Sequence, residues 1–408
     1  MLTSVLVVLT LLADVITVDD DGPAEFSSIQ AAIHAAASGD TIVVEPGTYA
    51  GFSLGKDLSI LGREGAGPVR TTGVVIVHLA PAFRLAGLEV PTLVVRDVPG
   101  VGVVDDCTVG VWMKSLEQPS LRISNCAQVL VGRCNVRGKV GDSYASTGFG
   151  TSGWIGATVE NSRVEFVGCT IGGGGGGVFS GNPTDGAAGL VVRLGSHVEL
   201  SGCPDIFGGF EGDKLCLCQS TGATGDGIQV GDSTVLIRGA STDWVAQGYY
   251  SWFPEPEGFS IHAQLGGNVI VSGVSLGQFG VKLDFGGAVT ILPEAEPFLE
   301  LTGEVQPGLF SILNVTGPAG EPAWILVSPA AALTPVNALD GLLWPAPPWW
   351  LVSLATTGAT LGIATQLPAG AGLEGTTWYV QAVFPGVPGT LNPTKMFVST
   401  PDVLLIRN

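Results

Sequence analysis

The chain has 408 residues, 61 of them glycine, with 17 basic against 36 acidic side chains, a net charge of -19 and a mean hydropathy of +0.44. An acidic balance of this size argues against nucleic acid or an anionic membrane surface as partner, because both need a basic face. The length allows a sizeable core and two domains, and after residue 13 no run is long and apolar enough to span a bilayer.

Residues 1–13 are apolar and end on the small Ala13 before Asp14, which reads as a signal peptide and a secreted or cell-surface, bacterial-type location; an apolar first strand is the alternative. Val15 to Val18 reads as a strand, and Asp19-Asp20-Asp21-Gly22 as a turn. A helix follows: Ser27 or Ser28 can cap it, Ile29, Ala32, Ile33 and Ala36 form its apolar stripe, and Gly39 stops it.

The run from Val18 through Phe26-Ser-Ser-Ile-Gln-Ala-Ala-Ile-His-Ala-Ala, then Gly39 to Tyr49 and Leu58 to Gly62, resembles the opening of pectin-lyase-like right-handed β-helix proteins. It is most similar to the first coils of pectin methylesterases and of periplasmic β-helix repeat proteins, over about 50 residues. The resemblance implies that the helix closes the open end of the first coil, where strand edges and an apolar interior would otherwise be exposed. It does not carry an activity, because the paired aspartates, arginine and glutamines of pectin methylesterases have no matching motifs here. Gln381-Ala-Val383 echoes one fragment, in the wrong domain.

From Leu121 to Leu276 one phrase recurs: an apolar alternation, a small turn, a second alternation, then Cys or another small residue. Positions 88, 107, 134, 169, 203, 240 and 274 align, at steps of 19, 27, 35, 34, 37 and 34 residues. Two period-2 strands per repeat, joined by Gly, Asn, Asp or Ser, cannot bury their apolar faces alone and must stack on copies of themselves. A parallel β-helix satisfies this. Cys107, Cys134, Cys169 and Cys203 should then form one internal column, and Cys126, Ser162, Ser196 and Ser233 a second. The cysteines read as buried thiols rather than as a disulfide framework.

The longer steps place four inserts at one corner of the coil: Arg137 to Gly156, Gly172 to Gly189, Phe207 to Gly227 and Thr242 to Gly258. Inserts stacked on one flank of a solenoid commonly form its binding face. These carry most of the helix domain's aromatic residues, and Tyr144, Trp154, Trp244, Tyr249, Tyr250 and Trp252 are the candidate sugar-stacking residues. The alternative is that the loops bury their own rings. Asp185-Gly186, Asp226-Gly227 and Glu257-Gly258 each precede a strand, so Asp185, Asp226 and Glu257 are candidate catalytic carboxylates at one rim position, although Asp-Gly is also ordinary turn chemistry.

No zinc, phosphate or calcium motif has the required spacing. Asp142, Glu211 and Asp213 offer oxygens for calcium without a binding loop, Cys216-Leu-Cys218 lacks partners, and Gly172 to Gly177 reads as a flexible turn. His34 and His262 read as structural.

Beyond Pro293 and Pro297 the texture changes to Pro-rich alternating segments, at Phe310–Val315, Trp324–Val327, Trp349–Leu354, Thr377–Phe384 and Val403–Ile406. The chain therefore reads as all-β: a signal peptide (1–13), a right-handed parallel β-helix with an N-terminal capping helix (14–297), and a small C-terminal β-sandwich (298–408). The function expected is a secreted, non-catalytic carbohydrate-binding or surface protein whose partner is a polysaccharide, with no cofactor. A polysaccharide lyase or glycoside hydrolase, or a protein-binding adhesin or spacer, are the alternatives.

Overall fold

The computed structural model describes residues 14–63, 67–110, 119–142, 151–179, 182–210, 223–239, 244–248, 258–272, 274–277 and 280–292, and beyond these the C-terminal strands between 298 and 405. Three long parallel sheets account for the first part of the chain, one of eleven strands and two of nine. Each strand pairs with its counterpart one coil away, as in Val101–Asp105 on Gln128–Gly132 and Leu121–Ser124 on Ala157–Glu160. Parallel crossovers are almost always right-handed, and the molecule is a right-handed parallel β-helix.

Each coil contributes three strands, not the two expected. The first sheet takes the second alternation of the phrase (Arg163–Val167), the second sheet the two or three residues after the cysteine (Thr170–Gly172), and the third sheet the opening alternation (Ala157–Glu160). The strand in the second sheet is too short to show a period, so it reads as part of a turn.

Two of the three corners turn on one or two residues in the left-handed region. Between the third and first sheets stand Leu79, Asp97, Asn125, Asn161, Leu194, Asp232 and Leu265, with φ of 43° to 61°. Asn and Asp tolerate this conformation because their short side chains bond locally. Here they also bond between coils: Asn125 Nδ2 donates to Asp97 Oδ1 (3.0 Å) and Asn161 Nδ2 to Asn125 Oδ1 (3.0 Å).

Both internal columns form, and both are hydrogen-bonded ladders. Cys107 N–H donates to Cys134 Sγ and Cys134 N–H to Cys169 Sγ, each at 3.4 Å. Cys126, Ser162 and Ser196 N–H donate to the hydroxyls of Ser162 (2.9 Å), Ser196 (3.3 Å) and Ser233 (3.0 Å). Cys107, Cys126, Cys134, Cys169 and Cys203 are all free and buried, whereas Cys216 and Cys218 lie outside the described residues. The rest of the interior is aliphatic, around Phe166, Ile60, Leu85, Leu121 and Leu200.

The N-terminal helix, Ile29–Ala35, packs Ile29, Ala32 and Ile33 into the same core against strands Val15–Val18 and Thr41–Val44, as the cap of the first coil must. Ser28 occupies the N-cap without a side-chain bond, and the helix ends at Ala35, before Gly39. Its last carbonyls are taken instead by Lys56, whose Nζ donates to Ile33 O (2.9 Å), His34 O (3.1 Å) and Ala36 O (2.8 Å). A cation here complements the negative end of the helix dipole. Residues 1–13 lie outside the described residues.

The C-terminal strands form a three-stranded sheet, with Phe298–Thr302, Phe310–Thr316 and Thr360–Gln366, and a larger six-stranded sheet centred on Pro322–Ser328 and Thr377–Phe384. Ile325, Val380 and Ala382 share one face of the larger sheet and are buried. Strand Phe298–Thr302 approaches that sheet.

Candidate functional site

All long inserts leave at the corner between the second and third sheets. The chain departs after Arg137, Gly172, Phe207 and Ala246 and returns at Ala157, Leu190, Ile228 and Ile261. The inserts therefore share one flank, as their spacing implies. The fourth begins later than expected, because Trp244–Ala246 is itself a strand of the second sheet.

The described parts of these inserts form a layer joined mainly through backbone, with a few side-chain bonds such as Thr184 Oγ1 to Thr151 O (2.7 Å). Trp154 N–H donates to Lys139 O (3.0 Å), Gly174 to Trp154 O (2.8 Å), Ala187 to Gly174 O (3.0 Å), Gly209 to Ala187 O (2.7 Å), Gly225 to Gly209 O (2.9 Å) and Gly248 to Gly225 O (2.9 Å). One line of hydrogen bonds thus crosses all four inserts. The outgoing and returning arms lie so close that a Cβ on Gly174 would collide with the Lys139 carbonyl, one on Gly209 with Gly174 O, and one on Gly225 with Ala187 O. The glycine run 172–177 is part of this packed layer and not a flexible turn.

Beside this layer, the outward face of the second sheet carries a groove of about 680 Å³ lined by Asp205, Phe207, Phe210, Trp244, Ala246 and Gln247, among others. Trp244 is 51% exposed and Phe210 48%, so two large rings face solvent across it. Register explains why: Asp205 pairs with Trp244 and Phe207 with Ala246, so all four side chains point outward from adjacent coils. Arg137 lies two coils earlier in the Phe207 column, with Gly172 between them, and its guanidinium reaches over that glycine to 4.4 Å from the Phe207 ring centre. Burial pushes the Arg137 pKa down, and the nearby Asp205 carboxylate opposes that. Flat apolar rings bordered by a carboxylate, an amide and a guanidinium offer a stacking surface for the C–H face of a sugar and partners for its hydroxyls.

Of the sequence-predicted aromatics, Trp244 stands in the groove. Trp154 is half-buried in the insert layer, with Lys139 Nζ 5.5 Å from its ring centre. Tyr144, Tyr249, Tyr250 and Trp252 lie outside the described residues, as do Glu257, Glu211 and Asp213. Phe207 and Phe210, which are not among the candidate rings singled out from the sequence, also line the groove.

Asp185 and Asp226 do not share one rim position. Gly189 N–H bonds to Asp226 O and Gly186 N–H to Ala223 O, so the coil equivalent of Asp226 is Ala188, while Asp185 lies beside Ala223. Asp185 is exposed and holds the Ala223 amide at 2.8 Å. Asp226 is only 7% exposed; its oxygens accept from Phe259 N–H (2.6 Å) and Gln229 Nε2 (2.8 Å), and His262 Nδ1 lies 3.0 Å away.

His262 meets Asp284 through Nε2 (2.9 Å), and Lys282 Nζ lies 3.3 Å from the same Asp284 oxygen. The His262 hydrogen bond, with Lys282, holds the Asp284 carboxyl below its ordinary value. This network ties three coils together and engages both oxygens of the buried Asp226. Its signal was present in the repeat: aligning Ile228-Gln-Val with Ile261-His-Ala sets Gln229 over His262, the observed register.

Among the described residues, Asp19, Asp20 and Asp21 are the one group of carboxylates close enough to share an ion, and no helix is long and apolar enough to cross a membrane. No protein-family model matches the sequence, and no curated protein matches it. Among solved structures, the enzymatically active domain of tailspike protein 4 from bacteriophage CBA120 matches at 9% identity and a TM-score of 0.22. That match covers 82% of this chain and 61% of the tailspike chain.

Proposed function

We propose that the protein is a non-catalytic carbohydrate-binding β-helix, presented outside the cell, with residues 14–297 as the binding rod and 298–408 as a β-sandwich. The observation that carries this reading is the groove on the second sheet, where the half-exposed Trp244 and Phe210 face solvent beside the insert flank. Binding is favoured over catalysis because Asp226 is buried and engaged by Phe259 N–H, Gln229 and His262, while Asp185 stands apart from it holding a loop amide. A general acid and base need reachable, differently tuned carboxyls.

Affinity electrophoresis through gels containing neutral and acidic polysaccharides tests the reading. Trp244→Ala should weaken retention by roughly tenfold, since an exposed aromatic anchor carries much of such binding. Unchanged mobility for Trp244→Ala on every retaining gel would remove the groove from the account. New reducing ends or unsaturated products, with or without calcium, would make the protein an enzyme. A blank glycan array would turn the reading toward a protein-binding adhesin or spacer.

A further inference from the structure

The outward face of the third sheet carries a second concavity, in earlier coils than the groove. Its volume is about 430 Å³, its floor includes Ile76 and Val94, and its walls include Arg96, Arg122, Ser124 and Asn125. The register brings these together: Ile76, Val94 and Arg122 form one outward column, and His78, Arg96, Ser124, Glu160 and Arg193 the next.

The charge here runs against the rest of the molecule. Glu160 is gripped from both sides, by Arg122 Nη2 at 2.9 Å and Arg193 Nε at 2.7 Å. Burial pushes its carboxyl up, but the bonds from Arg193 and Arg122 outweigh this and hold it below its ordinary value. One carboxylate thus serves two guanidiniums, while Arg96 is exposed and has no carboxylate partner among the described residues. The other acid on the rim, Asp97, is engaged by Asn125 Nδ2 at 3.0 Å. Three arginines against two engaged acids reverse, locally, the sign of a chain with net charge -19.

Guanidinium forks match planar and tetrahedral oxyanions bidentately. An apolar floor of Ile76 and Val94 suits the C–H face of a ring, and the volume falls within the usual range for small-ligand sites. We propose that this concavity binds an acidic saccharide, its carboxylate or phosphate held by Arg96 and Arg122 and its ring resting on Ile76 and Val94. The site uses a different face and different residues from the groove, so it stands or falls independently of the proposed function.

Isothermal titration of the full chain with oligoglucuronate, a hexose phosphate and a size-matched neutral glucose oligomer tests it, with the two acidic ligands separating carboxylate from phosphate. At low salt at least one acidic ligand should bind and the neutral one should not bind through this site, and binding should weaken as salt rises. Arg96→Gln should lower acidic affinity about tenfold, as expected for loss of a charge-assisted pair, and Arg96→Gln/Arg122→Gln should abolish it, while Trp244→Ala leaves it unchanged. Because Arg122 supports Glu160, the single Arg96→Gln variant decides the matter if the double variant is unstable. Absence of acidic binding at low salt, or acidic binding untouched by Arg96→Gln, overturns the proposal.

Discussion

The coil interior and the insert layer beside it solve the same stacking problem in opposite ways. Inside, side chains do the work: aliphatic residues repeat under one another, and cysteines and serines turn each vertical step into a hydrogen bond. In the layer, glycines let the arms approach until backbone meets backbone at Gly174, Gly209, Gly225 and Gly248. The interior is stabilised by apolar area removed from water, the layer by satisfied amides at glycines where a Cβ would collide. The first should resist small losses of volume poorly, the second small gains.

The largest test of that contrast is Phe166→Ala, which empties the biggest fully buried side chain and should cost roughly 3–5 kcal/mol in global denaturant unfolding. Gly174→Ala should cost about 3 kcal/mol, because a backbone carbonyl must move. Its effect should appear first as faster amide exchange in 138–156 and 173–189. Gly266→Ala sharpens the comparison: with φ of +79° and open space around it, it suffers conformational strain alone and should cost only about 1 kcal/mol. Equal penalties for the two glycines would mean that close packing is not what the layer depends on.

A smaller effect is expected in acid. Glu160 titrates below its ordinary value when folded, so the stabilisation it gives is present above the unfolded carboxylate range and lost as pH falls through its folded value. Melting temperature should therefore drop below about pH 4, and Glu160→Gln should flatten that limb. Smallest of all should be the response to thiol reagents. A neighbouring thiol and burial push the Cys107 pKa well up, and burial does the same for Cys134, so these, with buried Cys126, Cys169 and Cys203, should stay silent to alkylation until the coils unfold. Native labelling at Cys134, read by mass spectrometry, would contradict the ladder.

Much of this was legible in the sequence, for identifiable reasons. A column of like residues at Cys107, Cys134 and Cys169 survives any insertion between coils, so the stacking, the cap and the shared flank of the inserts could be read directly. The third strand of each coil was hidden by its two- or three-residue length, as at Thr108–Val109. The glycine layer was hidden because residues without side chains leave no periodicity, and Gly172 to Gly177 therefore passed for a turn. The ties of Asp226 were hidden because Asp-Gly carries a strong local meaning, while its partner His262 stands one coil away. Trp244 was legible, but Phe207 was hidden by its place beside the core strand, although odd and even positions of one strand face opposite ways.

The left-handed residues at Asn125, Asn161 and their equivalents have a further consequence. Corners closed by such residues stay short, with one to four residues between the strands they join, as Gly87 between Ala86 and Leu88 and residues 97–100 between Arg96 and Val101. The corner between the second and third sheets already tolerates excursions of very different length. The rod is thus rigid in two of its bends and permissive in one, which makes that single edge the place where foreign peptides can be grafted without disturbing the coils beneath.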